Sequence, residues 1–116
     1  MKHMLILIIV AAMTMTATAE LVRQNIEYTI DGQPYEGYVV FDDAQVEPRP
    51  GVLVCHEWWG LNDYAKSRAD QLAQLGYIAL ACDIYGKGQR ATTAEDAQKL
   101  ATPFYSDRAL LRTRVR

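Results

Sequence analysis

Two apolar runs separated by one helical stretch constrain this chain more than any other feature. "VLVC" (Val52 to Cys55) and "YIALAC" (Tyr77 to Cys82) are continuous apolar segments of strand length bounded by turn residues, the pattern of strands buried on both faces. Between them Ala65, Ala69, Leu72, Ala73 and Leu75 recur at helical spacing, with Asp63 placed to cap the start and Gly76 to close the end. A strand, a helix of about 13 residues and a second buried strand make a βαβ unit, with a right-handed crossover and parallel strands.

A β-hairpin is expected ahead of this unit. Ile26, Tyr28 and Ile30 alternate with polar residues, and so do Tyr35, Gly37, Val39 and Phe41, with a turn at Asp31-Gly32 between them. "DDAQVEPRPG" then reads as a polar loop. After the second strand, "DIYGKGQRATT" is a glycine-containing loop leading to a helix from Thr93 to Ala101, which Pro103 breaks. Ser106 is placed to cap a last helix in "DRALLRTRVR", where no Gly, Asn or Pro supplies a stop. The fold class is α/β: an amino-terminal hairpin, then a βαβ unit of a mostly parallel sheet. The unfinished last helix leads us to expect a piece of something longer.

The 116 residues bound the chain to one domain at most, and the first 19 read as something else. Lys2 and His3 precede an apolar run from Met4 to Met13, and small residues end it at Ala17-Thr18-Ala19, the layout of a secretory signal cleaved between Ala19 and Glu20. The run is too short to span a bilayer, so a stable membrane anchor is not expected after cleavage. The chain is therefore read as a signal peptide over residues 1–19 and a domain portion over 20–116, exported to the periplasm or secreted. A net charge of −2, from 12 Lys+Arg against 14 Asp+Glu, gives no electrostatic footprint for nucleic acid. Arg108, Arg112, Arg114 and Arg116 fit a solvated helix face better than an anion contact. Cys55 and Cys82 end the two apolar runs, either as two buried thiols or as a disulfide between neighbouring strands.

Chemistry concentrates in two loops. In open α/β sheets ligands bind beyond the carboxyl ends of the parallel strands, and both "CHEWWGLN" and "CDIYGKGQ" leave from that edge. Glu57 is followed by Trp58 and Trp59, which would partly desolvate its carboxylate and raise its pKa. Alternatively Glu57 only accepts hydrogen bonds from a tight turn while the tryptophans fill core. A zinc-protease reading of "HEWWG" fails, because the position four residues after His56 is Gly60 rather than a second His.

The string "VLVCHEWWGLNDYAKSRADQLAQLGYIALACDIYGKG" resembles the dienelactone hydrolase family of the α/β-hydrolase fold, especially its exported members, over roughly residues 35 to 116. The resemblance implies hydrolysis of a small-molecule ester or lactone by a nucleophile, a histidine and an aspartate, without metal or cofactor. It implies that Glu57 is the carboxylate that activates the nucleophile and that the Trp58 backbone N–H is half of the oxyanion hole. It places Tyr85 at the rim of the site and Lys87 where relatives can carry an arginine for a substrate carboxylate, although a lysine lacks the bidentate fork; Trp59, as a large apolar side chain on the same loop, is expected at the substrate too.

The departure from the family pattern is large. No Gly-x-Cys-x-Gly or Gly-x-Ser-x-Gly turn occurs in the 116 residues, and the only histidine after residue 19 is His56, beside Glu57. The expectation is an incomplete α/β-hydrolase fold: a truncated hydrolase lacking the nucleophile elbow and triad His and Asp, inactive alone. The alternative is a non-catalytic binding or interaction module that keeps the ligand-facing edge of that fold.

Overall fold

The computed structural model describes residues 20–116, so the expected signal over 1–19 lies outside the described residues. Strands β1 (Leu21–Ile30) and β2 (Gln33–Asp42) form the hairpin, in register from Leu21 opposite Asp42 to Ile30 opposite Gln33. Asp31 and Gly32 both have positive φ, 50° and 77°, the two-residue turn whose twist matches that of the flanking strands.

Strand β3 (Gly51–Cys55), helix α1 (Asp63–Gln74) and strand β4 (Ile78–Cys82) form the βαβ unit, with β3 parallel to β4 and Cys55 opposite Cys82. The hairpin joins through β2, which runs antiparallel to β4 with Val39 opposite Leu80. The described sheet is therefore mixed, in the order β1-β2-β4-β3.

Helix α1 starts one residue earlier than expected. Asn62, not Asp63, is the cap: its side chain accepts the Ala65 N–H at 3.2 Å, while Asp63 sits in the first turn, where a negative charge suits the helix dipole. The helix stops at Gly76, whose φ of 96° no residue with a Cβ adopts cheaply. There the Gly76 N–H reaches the Ala73 carbonyl at 3.0 Å and the Tyr77 N–H reaches that of Leu72 at 3.2 Å, a Schellman closure.

The core lies between α1 and one face of the sheet. Ala65, Ala69 and Ala73 pack on Tyr38, Val40, Ala79 and Ala81, all buried. Alanine along the contact lets the helix lie close to the sheet, and this decides which face of β2 meets it: Tyr38 and Val40 face α1, while Tyr35, Val39 and Phe41 lie on the opposite face, where Tyr35 is buried as well. Tyr38 ends on a polar handle, its hydroxyl donating to Asp70 at 2.7 Å, and Asp70 also receives Arg23 Nε at 3.0 Å.

Three expectations need correction. "VLVC" is not covered on both faces: β3 lies at the margin of the described sheet, Val54 packs against the α1 core, and Leu53 is 44% exposed on the other side. Pro103 does not break its helix, because α2 (Ala94–Ser106) runs through it. The ring removes one N–H but its fixed φ is helical, and here the residue is exposed, so the carbonyl one turn back is left to solvent. Finally Asp107, not Ser106, caps α3 (Arg108–Arg114), its carboxylate accepting the Leu110 N–H at 2.8 Å. Among the described residues no helix is long and apolar enough to cross a membrane.

Candidate active-site edge

The two unusual loops meet, as their common origin at the carboxyl edge of β3 and β4 requires. Four ties join them. The Ile84 N–H donates to His56 Nε2 at 3.1 Å, the Tyr85 hydroxyl to the Trp58 carbonyl at 3.0 Å, and the Ala91 N–H to the Trp59 carbonyl at 3.0 Å. Arg90 Nε closes the set on the Leu61 carbonyl. Gly60 makes the approach possible: its φ is 93°, and a Cβ there would lie 3.0 Å from the Gln89 carbonyl oxygen.

Asp83 builds the second loop from below. Its carboxylate is completely buried and accepts three backbone N–H groups, from Tyr85 at 3.2 Å and Gly86 at 3.0 Å on one oxygen and from Glu36 at 3.2 Å on the other. Arg90 lies 3.8 Å away as the countercharge. The Tyr28 hydroxyl receives the Asp83 N–H at 3.1 Å, so the hairpin also anchors this loop.

Above the loops lies a pocket of about 200 Å³, walled by His56, Glu57 and Trp58 from the first loop, Ile84 and Tyr85 from the second, and Phe104, Tyr105 and Leu111 from the last two helices. It is mostly apolar. The His56 ring meets the Tyr85 ring edge-on with centroids 4.8 Å apart, and Tyr85 in turn lies 5.8 Å from Phe104. Burial pushes the Tyr85 hydroxyl above its usual range, which keeps it a donor to Trp58. Burial pushes the His56 imidazole below its usual value, so the ring is neutral near pH 7.

Of the residues singled out in the sequence, Glu57, Trp58 and Tyr85 come together in this pocket. Trp59 does not line it; its ring stands edge-on to Trp58 at 5.3 Å. Lys87 is not brought there either: its ammonium pairs with Glu27 on β1, and it lines a separate depression with Gln33, Tyr35 and Arg114. Glu57 and Trp58 are both exposed, so the desolvation expected of the tryptophans is not supplied by the described residues. The Glu57 carbonyl serves the turn, accepting the Gly60 N–H at 3.2 Å. Among the described residues no group accepts from the Trp58 N–H. Cys55 and Cys82 are free thiols with sulfurs 3.8 Å apart, directly beneath the two loops.

Sequence reasoning missed His56, Asp83 and Arg90 as organisers and Phe104 and Tyr105 as pocket walls. The one available signal was an Asp directly after a fully apolar strand, a charge placed where burial is the rule.

The dienelactone hydrolase family model matches residues 35–114. The "Putative carboxymethylenebutenolidase" of Aquifex aeolicus is 39% identical over 88 residues, which cover 73% of this chain and 36% of that protein. Protein usf of Aquifex pyrophilus is 36% identical over 91 residues, with the same coverage of 73% and 36%. Among solved structures, a dienelactone hydrolase-like promiscuous phosphotriesterase from metagenomic libraries superposes with a TM-score of 0.76 at 37% identity, over 84% of this chain and 40% of that one. The chain thus spans little more than a third of the length of these curated relatives. With most of β2, the βαβ unit and both edge loops inside the matched segment, the chain belongs to the dienelactone hydrolase family.

Proposed function

We propose that this chain forms the oxyanion-hole side of an ester- or lactone-hydrolysing site. The observation that carries the reading is the Trp58 N–H: it has no acceptor among the described residues, and its residue walls an apolar pocket beside the Glu57 carboxylate. An unpartnered backbone donor on the edge where this fold class binds ligands is suited to an oxygen that becomes negative during acyl transfer. Glu57, exposed at the pocket wall, would act on a thiol or hydroxyl nucleophile brought to it, and Trp59 would support Trp58 from behind. Lys87 would reach a substrate carboxylate only after leaving Glu27.

The nucleophile is not among the 116 residues in its usual Gly-x-Cys-x-Gly or Gly-x-Ser-x-Gly setting, so the chain by itself should turn over no ester. Cleavage after Ala19 would deliver it to an exported compartment. The pocket is already formed by residues 56 to 111, which favours one other reading, a module that binds a small apolar ligand without chemistry. The test is the encoding reading frame, expressed as far as it continues and assayed with an activated ester. Turnover that depends on a downstream Cys or Ser in such a turn supports the hydrolase. Saturable binding of a small aromatic ester without turnover supports the module.

A further inference from the structure

The peptide between Glu57 and Trp58 contains both the carbonyl of the turn and the candidate oxyanion donor. In a trans peptide the C=O and N–H point in opposite directions, so whatever holds the carbonyl also aims the N–H. Two donors hold it: the Gly60 N–H at 3.2 Å and His56 Nδ1 at 2.6 Å. His56 Nδ1 faces a carbonyl, which only accepts, and Nε2 faces the Ile84 N–H at 3.1 Å, which only donates. The two partners together require one tautomer, with the proton on Nδ1. The other ties between the loops act elsewhere. Tyr85 fixes the Trp58 carbonyl, which belongs to the next peptide, and Ala91 fixes that of Trp59.

We propose that His56 is a positioning residue: as the Nδ1–H tautomer it clamps the Glu57 carbonyl to the Ile84 amide, aims the Trp58 N–H into the pocket, and releases that aim when Nε2 is protonated. Protonation sets two donors, Nε2–H and Ile84 N–H, against each other, so the ring moves off the Ile84 amide and carries with it the Glu57 carbonyl, still held by Nδ1–H, while the Tyr85, Ala91 and Arg90 ties keep the loops together. The role given to the Trp58 N–H rests on the hydrolase reading; the clamp itself does not.

The groups facing the ring fit a neutral imidazole that charges in mild acid. Burial disfavours the imidazolium most, the Glu57 carbonyl and the buried Asp83 carboxylate favour it, and the Arg90 guanidinium opposes it. Tyr85 meets the ring edge-on. The Glu57 side chain and Tyr105 of α2 wall the same pocket, and α3 contributes only the apolar Leu111.

The test is a pH titration of the 116-residue chain by nitrogen-detected NMR, following the His56 ring and the Ile84 and Trp58 amides. The expected result is an Nδ1–H ring at neutral pH, and both amides shifting with the ring at one midpoint below 6.5. His56→Gln should abolish that shared step. An Nε2–H tautomer, or a ring that titrates while the Trp58 amide stays still, overturns the proposal, and the wild-type titration decides even where His56→Gln fails to fold. In a version whose reading frame supplies the nucleophile, kcat should fall with the same midpoint at unchanged KM. His56→Gln should lower kcat by up to roughly 10²-fold, as loss of one oxyanion donor does. If that version is inactive with His56 intact, the hydrolase reading fails while the titration still judges the clamp.

Discussion

The Asp83 carboxylate, with no solvent exposure, accepts the backbone N–H of Glu36 at 3.2 Å and so fastens the loop after β4 to the start of β2. Its other oxygen takes the Tyr85 and Gly86 N–H groups, and Arg90 stands 3.8 Å away. Asp83→Asn keeps one acceptor oxygen but turns an amide N–H₂ toward the Glu36 N–H. We expect it to cost about 2 kcal/mol, and Asp83→Ala about 3 to 5 kcal/mol, since it takes the acceptor from three backbone N–H groups and the countercharge from Arg90. Denaturant midpoints at constant slope measure both. An alanine variant as stable as wild type would show that water replaces the carboxylate.

Gly60→Ala should damage the loop more than an exposed turn glycine would suggest. The position has φ of 93°, and the added Cβ meets backbone, the Gln89 carbonyl at 3.0 Å, as well as the Arg90 side chain at 3.1 Å. The strain is of order 1 to 3 kcal/mol. Gly32→Ala, at φ 77° with nothing within 4 Å, is the control for the backbone effect alone. Thermal unfolding of the two variants should separate them, with Gly60→Ala the lower.

The hairpin and the βαβ unit were legible because their punctuation is local. Asp31-Gly32 and Gly76 state where the chain turns, whatever it packs against. Which face of β2 meets α1 was not legible, because apolar residues stand at both parities and only the alanine stripe of α1 selects Tyr38 and Val40. Pro103 misled because a proline in an exposed last turn weakens a helix without ending it. The site divided in the same way: Glu57, Trp58 and Tyr85 announce themselves by their loops, whereas the His56–Ile84 bond joins residues 28 apart and exists only once both strands have paired.

The two thiols should differ sharply in reactivity. Cys82 is buried, and burial with the Cys55 sulfur beside it pushes its thiol up to about 12, while Cys55 is exposed. Alkylation needs the thiolate, of which a thiol at about 12 holds roughly one part in 10⁴ at pH 8. Mass spectrometry after brief iodoacetamide treatment of the folded chain should find Cys55 modified and Cys82 intact, with both modified after unfolding. Equal labelling of both in the folded state would mean that the β3–β4 pair opens.

Export is checked most directly on the mature terminus. With small residues at Ala17 and Ala19, material recovered from the exporting host should begin at Glu20, one residue before β1 starts at Leu21. Intact-mass analysis reads this in one measurement. A chain recovered with Met1 still present would return residues 1–19 to another role.

Stability should fall as the solution becomes mildly acidic, and His56 fixes the sign. Burial lowers its pKa in the folded state below the ordinary value of 6.5, so between the two values the unfolded chain binds more protons than the folded one. Stability therefore rises with pH across that interval. The contribution of the neutral ring is complete above 6.5, declines as pH drops through the folded value, and is constant below it. Urea unfolding from pH 7.5 to 5 should show the midpoint dropping as pH falls. In His56→Gln, which cannot charge, that decline should vanish. A wild-type profile that is flat from pH 7.5 to 5 would mean the His56 ring is solvated in the folded chain, and the His56–Ile84 tie, one of the four between the two loops, would be lost.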